Sequence, residues 1–265
     1  MDLNLGGKSV IVTGGGSNIG RAISLAFAKE GVNLTIADID ETQAQKVAAE
    51  ATGRGAKAVQ VVRADVTKWD DVRAMVKRVE ERFGGVDVLV NNVGWTRDAL
   101  FVEKTRDEWE REVQINLWGM INCTRAVLDG MIARKSGAIV SLGSDAGRMG
   151  EFREAVYGAC KAGVIALSKS LAREVGKHGI RLNVVCPGMT MPESDEDIST
   201  NSMWASEENR AWRTPDMQAR IAKVYPLRRT GKPEDIAPVV VFLASEAAGF
   251  VTGQTLSVSG GYTMM

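Results

Sequence analysis

Cysteine is scarce in this chain: its 265 residues hold three, Cys123, Cys160 and Cys186. They are odd in number and far apart, which suggests neither a disulfide framework nor a zinc site. A reducing compartment suits them best. Histidine is scarcer still. His178 stands alone, which argues against a His-dependent triad and a His-rich metal centre, so no metal is expected. Charge of one sign is also missing, because 33 basic residues balance 33 acidic ones. That balance argues against nucleic acid as a partner, since non-specific affinity for it comes from excess Lys and Arg. No hydrophobic run is long. The longest, Val239–Ala244, falls far short of the ~20 residues that cross a bilayer. Met1–Lys8 lacks the basic and apolar regions of a signal peptide, so the expectation is a cytoplasmic protein without a membrane partner.

What remains is average in composition, with 45% hydrophobic and 25% charged residues, as in ordinary globular proteins. Short β-branched runs read as strands at Lys8–Thr13, Val32–Ala37, Ala58–Arg63, Val86–Asn91, Gly137–Gly143, Ile180–Cys186 and Thr255–Val258. Their apolar residues are nearly continuous, as expected of strands covered on both faces. Helical stretches such as Asn18–Glu30, Glu41–Thr52, Lys68–Phe83 and Asp107–Arg134 fill the gaps. This rhythm predicts an α/β fold, a Rossmann-type doubly wound parallel sheet of about seven strands with helices on both faces. No linker or repeat divides residues 1–265, so one dinucleotide-binding catalytic domain is expected. A polar stretch at about 189–225, with the acidic run Glu193–Asp197, reads as a loop inserted over the strand ends. The acidic run itself reads as a solvated face.

Between the first strand and first helix lies Thr13-Gly14-Gly15-Gly16-Ser17-Asn18-Ile19-Gly20. Glycines there let the backbone approach a pyrophosphate, and the helix N-terminus supplies N–H donors and a partial positive charge. Gly14, Ser17, Asn18, Ile19 and Gly20 are the candidate contacts. Asp38 ends the second strand, where a carboxylate can accept from adenosine ribose hydroxyls and repel a 2′-phosphate. With no basic residue in Gly14–Ile19, NAD is the expected cofactor rather than NADP.

Tyr157 and Lys161, four apart, share one helix face. Ser144 lies 13 residues before Tyr157, just after the fifth strand, where active-site loops of open sheets sit. Here the chain resembles the short-chain dehydrogenases/reductases along essentially its whole length. Asn91-Asn92-Val93-Gly94 resembles the family's Asn-Asn-Ala-Gly, Asp65-Val66 its adenine-contacting pair, Asn116 its helix asparagine and Pro187-Gly188 its nicotinamide-side Pro-Gly. Pro226–Ala237 and Gly253-Gln254…Gly260-Gly261 match segments near the family's C-terminus. Three positions depart from the pattern. Asn18 replaces a glycine, and asparagine tolerates positive φ better than most residues. Val93 replaces an alanine. Pro192 stands where a threonine is usual, and Thr190 is the candidate to replace that threonine's bond to the carboxamide.

The resemblance implies hydride transfer between a secondary alcohol and nicotinamide. Tyr157 would exchange the hydroxyl proton, Lys161 hold the nicotinamide ribose, Ser144 donate to the substrate oxygen and Asn116 hold a relay water. A lysine ammonium ~4 Å from a phenol, at an effective dielectric of ~20, favours phenolate by up to ~4 kcal/mol, which predicts a lowered Tyr157 pKa. Trp95, Trp204 and Trp212 are candidates to line the substrate, against plain packing. Arg148 and Arg153 are candidates to meet an anionic substrate, against ordinary surface charge. Cys160, on another helix face, reads as core. The nearest likeness is to the branch acting on alicyclic secondary alcohols and hydroxyacyl-CoA thioesters. Reduction of a sugar, polyol, steroid or 3-oxoacyl substrate is the enzymatic alternative, and an inactive nucleotide-binding subunit the non-enzymatic one. A homotetramer is implied, built through the helices of Asp107–Arg134 and Tyr157 and the C-terminal segment.

Overall fold

The computed structural model describes residues 2–265, the side chain of Glu208 excepted. Its elements alternate from the start: β1 (Ser9–Thr13), α1 (Asn18–Lys29), β2 (Asn33–Asp38), α2 (Glu41–Gly53), β3 (Ala58–Arg63), α3 (Trp69–Phe83) and β4 (Val88–Asn91). There follow α4 (Arg106–Val113), α5 (Gly119–Arg134), β5 (Gly137–Leu142), α6 (Ala146–Met149), α7 (Ala155–Val175) and β6 (Ile180–Pro187). The chain closes with α8 (Glu207–Ala211), α9 (Pro215–Ala222), α10 (Pro233–Ala244) and β7 (Thr255–Val258).

The seven strands form one parallel sheet in the order β3-β2-β1-β4-β5-β6-β7. Alternate residues of each inner strand enter opposite cores, as period-two geometry requires. Val10 and Val12 of β1, Val88 and Val90 of β4, and Ala138 and Val140 of β5 pack on one side. Ile11, Leu89 and Ile139 pack on the other. Helices α1 and α10 cover the first face, where Phe27 and Val240 are fully buried; α3 and α5 cover the second, with Met75 and Met131. Strand order reverses between β1 and β4. Ligands of open α/β sheets bind at such a switch, outside the carboxyl ends of the strands.

Two elements differ from the sequence reading. The single helix expected over Asp107–Arg134 is interrupted by a π-helical turn, Gln114–Trp118, a feature frequent at functional sites. Within it the Asn116 amide donates to the Glu112 carbonyl one turn back (2.8 Å). The insertion is not a bare loop either. It contains α8 and α9, each preceded by a residue in extended conformation (Ser206, Thr214), and a bridge between Thr190 and Gly231 closes its base.

Candidate active site

The glycine turn closes against the end of β4. The Asn92 amide donates to the Thr13 and Gly14 carbonyls (3.0 Å each), and its backbone N–H to Thr13 Oγ1 (3.1 Å). Gly14 (φ 62°) and Asn18 (φ 44°) both occupy the left-handed region, so asparagine takes the conformation expected of it. A Cβ on Gly20 would lie 1.9 Å from the Gly14 carbonyl oxygen, which fixes glycine where α1 meets the turn. Asp38 is buried, and its two oxygens accept the Gly16 and Asp40 N–H groups (3.0 Å each). Burial pushes its carboxyl above the ordinary range, while those backbone bonds pull it back. Ser17 is the N-cap of α1 yet makes no cap bond, and Asn18 Oδ1 is buried without a partner. A glycine turn with the uncommitted Asn18 Oδ1 beside a helix N-terminus, facing an aimed carboxylate, fits a dinucleotide's pyrophosphate and ribose. Asp65 is turned inward to Thr67 (2.7 Å to its hydroxyl), and the Val66 carbonyl accepts from Asn122 (3.0 Å).

At the ends of β4 and β5 a second group converges. Tyr157 and Lys161 lie one turn apart on α7, with Lys161 Nζ 5.5 Å from the Tyr157 ring centroid. Lys161 is buried and donates to the Leu142 carbonyl (2.8 Å). Burial pulls its ammonium down to about 8. Lys161 Nζ and Asn116 Oδ1 converge on Gly94, at 3.4 and 3.2 Å from where its Cβ would stand. Tyr157 is half-buried, and its pKa lies above the ordinary phenol value rather than below it. Burial dominates, the Glu154 carboxylate adds to it, and a hydrogen bond with Ser144 pulls the other way. The lowering expected from Lys161 is thereby corrected: desolvation sets the phenol, and the ammonium donates to the Leu142 carbonyl instead. Asn116 is committed as well. Its amide donates to the Trp95 and Glu112 carbonyls (2.7 and 2.8 Å), and Oδ1 accepts from the Trp95 N–H (3.0 Å). A single Oδ1 lone pair and the backbone carbonyl are what it retains for a water.

Residues 14–263 match a family model described as enoyl-(acyl carrier protein) reductase. The chain is 39% identical over 258 residues to the 3-oxoacyl-[acyl-carrier-protein] reductase FabG of Staphylococcus epidermidis, covering 97% of this chain and 99% of that protein. The corresponding FabG of Thermotoga maritima is 35% identical, covering 98% and 99%. A short-chain type dehydrogenase/reductase from Mycobacterium marinum superposes with a TM-score of 0.87 at 28% identity, covering 100% and 98%. The crystal structure of gox2181 gives 0.86 at 34%, covering 98% and 97%. The chain belongs to the short-chain dehydrogenases/reductases.

In this short-chain dehydrogenase/reductase several candidate residues have other work. Arg148 donates to Ser257 (2.8 Å) and to the Met265 carbonyl, and Asp145 lies 3.8 Å away. Arg153 grips Asp98 through its carboxylate and its carbonyl (2.8 Å each). Both guanidiniums thus already have oxygen acceptors within the chain. Trp95 is half-buried, with the Arg111 guanidinium 4.0 Å over its ring. Trp204 and Trp212 are half-buried on the insertion. Thr190 is buried and gives its hydroxyl proton to the Gly188 carbonyl (3.0 Å), leaving only acceptor capacity. Pro187 ends β6, and Gly188 donates to the Val258 carbonyl (3.1 Å). Cys160 is buried, as a core residue should be.

Two groups escaped the sequence reading. Glu154, the N-cap of α7, is pushed up to about 7, by burial first and then by Glu151, Asp98 and Glu112, with Lys104 opposing. A fully buried ion pair joins Lys104 Nζ to Glu112 Oε1 (2.5 Å), and Thr96 donates to the same oxygen (2.7 Å). Lys104 lies just before α4 in extended backbone, so no helical spacing signalled the pair. Among the described residues no cluster of three or more His, Cys, Asp or Glu is placed to hold a metal ion. Among the described residues, too, no helix is long and apolar enough to cross a membrane.

Proposed function

We propose that the chain is an NAD-dependent oxidoreductase interconverting a ketone and a secondary alcohol, with 3-oxoacyl thioesters as its substrate class. The meeting of Lys161 and Asn116 at the exposed Gly94, beside the glycine turn, with Tyr157 one turn before Lys161 and partnered by Ser144, carries the reaction type. When bound, the reduced nicotinamide supplies the hydride. Tyr157 gives its proton to the carbonyl oxygen, Ser144 donates a hydrogen bond to that oxygen, and Lys161 supplies positive charge beneath the phenol. Tyr157 is protonated at neutral pH and so holds the proton that ketone reduction needs; positive charge brought beside it is what would lower its pKa toward the operating pH, where proton transfer is efficient. Lys161, at about 8, is mostly charged at neutral pH.

The substrate class rests on the FabG relatives, which are named for 3-oxoacyl reduction and match nearly end to end. No comparable support favours alicyclic alcohols. An inactive subunit is disfavoured because all four catalytic candidates are present. The choice of NAD rests on Asp38: a buried carboxylate facing a 2′-phosphate is costly. The test is oxidation of reduced cofactor with a short 3-oxoacyl thioester, run beside cyclic ketones and with both cofactors. Turnover of the thioester with NADH is expected. Turnover of the cyclic ketones alone overturns the substrate class, and equal kinetics with NADPH overturns the cofactor choice.

A further inference from the structure

The acidic run Glu193–Asp197 is solvated at Glu193, Asp195 and Glu196, as read from the sequence, but it is also tied down by ion pairs. Glu193 pairs with Lys232 (2.7 Å), Asp195 with Arg213 (2.5 Å) and Asp197 with Arg21 (3.3 Å). The Glu196 carbonyl accepts from the Gln43 amide (2.8 Å). At the end of the run Ile198 and Ser199 are buried. The Ser199 N–H donates to Ser17 Oγ (3.1 Å), and its hydroxyl to Asp40 Oδ2 (2.7 Å).

The anchor points share a location. Ser17 and Arg21 belong to the glycine turn and the first turn of α1, while Asp40 and Gln43 begin α2. Those two segments flank Asp38, whose carboxylate is itself held by Gly16 on one side and Asp40 on the other. A strand of chain pinned to both crosses the groove between them, above the point where Asp38 would read a ribose. Asp40 serves both structures, capping α2 through the Gln43 N–H (3.0 Å) with one oxygen and holding Ser199 with the other.

The charges point the same way. Arg21 is the basic side chain nearest the turn in sequence, and it is taken by Glu50 (2.8 Å) and Asp197. Asp38, Asp40 and Asp197 surround the place where a 2′-phosphate would need a cation.

We propose that residues 193–199 are a strap belonging to the cofactor site: latched over the adenosine ribose, it excludes a 2′-phosphate and slows cofactor release. The inference rests on the reading of Asp38 as the ribose-binding carboxylate. Removing the Ser199 hydroxyl deletes one bond to a charged acceptor, and Asp197→Asn returns Arg21 toward the groove. A charge-assisted bond is worth ~1.5–3 kcal/mol, so even its lower bound corresponds to roughly tenfold.

The experiment measures equilibrium binding of NADH and NADPH by cofactor fluorescence, with NADH dissociation followed by stopped flow. It compares wild type, Ser199→Ala, Asp197→Asn and Asp38→Ser, each first checked by thermal melting. Ser199→Ala should release NADH roughly tenfold faster, and Asp197→Asn should narrow the NADH preference by a similar factor. The strap is overturned if both leave release and preference unchanged while Asp38→Ser shifts the preference. Wild type binding NADPH as tightly as NADH would instead overturn the reading of Asp38 and the exclusion built on it. Ser199→Ala removes a single oxygen and adds no bulk, so it keeps the test decisive should Asp197→Asn fold poorly.

Discussion

Tyr157 combines burial, a serine partner and a nearby lysine, and its proton is the one the reaction must move. Tyr157→Phe deletes only the hydroxyl. Turnover should fall roughly 10²–10⁴-fold, while cofactor affinity changes little because the glycine turn and Asp38 are untouched. Near-normal turnover in that variant would remove the proton-transfer role. Glu154 supplies a second residue-scale prediction. Its carboxyl is raised from 4.5 to about 7, so folding favours the protonated form. That contribution is complete below pH 4.5, declines as pH rises toward 7 and is flat beyond. Glu154→Gln cannot ionise, so melting temperatures of wild type and variant should diverge between pH 4.5 and 7, the variant gaining. Parallel melting curves across that range would contradict the burial assigned to Glu154. The groups whose charge reaches it are Glu151, Asp98, Lys104, Glu112, Tyr157, Lys161 and Tyr262, so its titration should also be felt at the phenol and the ammonium.

At the scale of elements, the strands were legible because buried parallel strands need unbroken β-branched runs, and Val10–Val12 and Val88–Val90 supply them. The turn at Gly14–Gly20 was legible for a local reason: backbone that must approach a phosphate needs glycine at fixed offsets. The π turn was not, since Ile115-Asn116-Leu117 would sit equally well in an unbroken helix. Its origin is tertiary, in the bonds from Asn116 to Trp95. The acceptors of Arg148 and Arg153 were not legible for the same reason, as they lie 117 and 55 residues away. The Lys104–Glu112 pair joins these pieces. Glu112 holds Thr96 by its carboxylate and Asn116 by its carbonyl, so one residue clamps the loop after β4 to the π turn. Breaking one partner of a buried pair costs ~3–5 kcal/mol, whereas replacing both by apolar groups is often neutral. Glu112→Leu alone should therefore melt far below wild type, and Lys104→Met with Glu112→Leu should recover most of the loss. A double variant no more stable than the single one would mean that the charge pair is not the source of the penalty.

At the scale of the whole molecule, the exposed apolar surface is what the fold leaves unexplained. Trp118 is 47% exposed in the π turn between α4 and α5. Ala155, Ala159 and Ala166 form an exposed stripe along α7, at spacings that keep them on one helix face. Val127 and Val164, on the same two helices, lie in the core. A bare alanine face allows a second helix to approach closely, and a two-fold axis through it would pair the stripe with its own copy. Association through α7 and through the α4–α5 surface gives two different two-fold contacts, and two such contacts close a tetramer. Sedimentation equilibrium at micromolar concentration should therefore give four times the 28.5 kDa chain mass. Ala159→Arg should reduce this to dimers by blocking the α7 contact, and Trp118→Glu should do so by charging the other. Both should keep native circular dichroism, because neither side chain belongs to the core. A wild-type monomer under these conditions would refute the assembly. A tetramer indifferent to both substitutions would place its contacts elsewhere, with the exposed C-terminal Met264 and Met265 the next surface to charge.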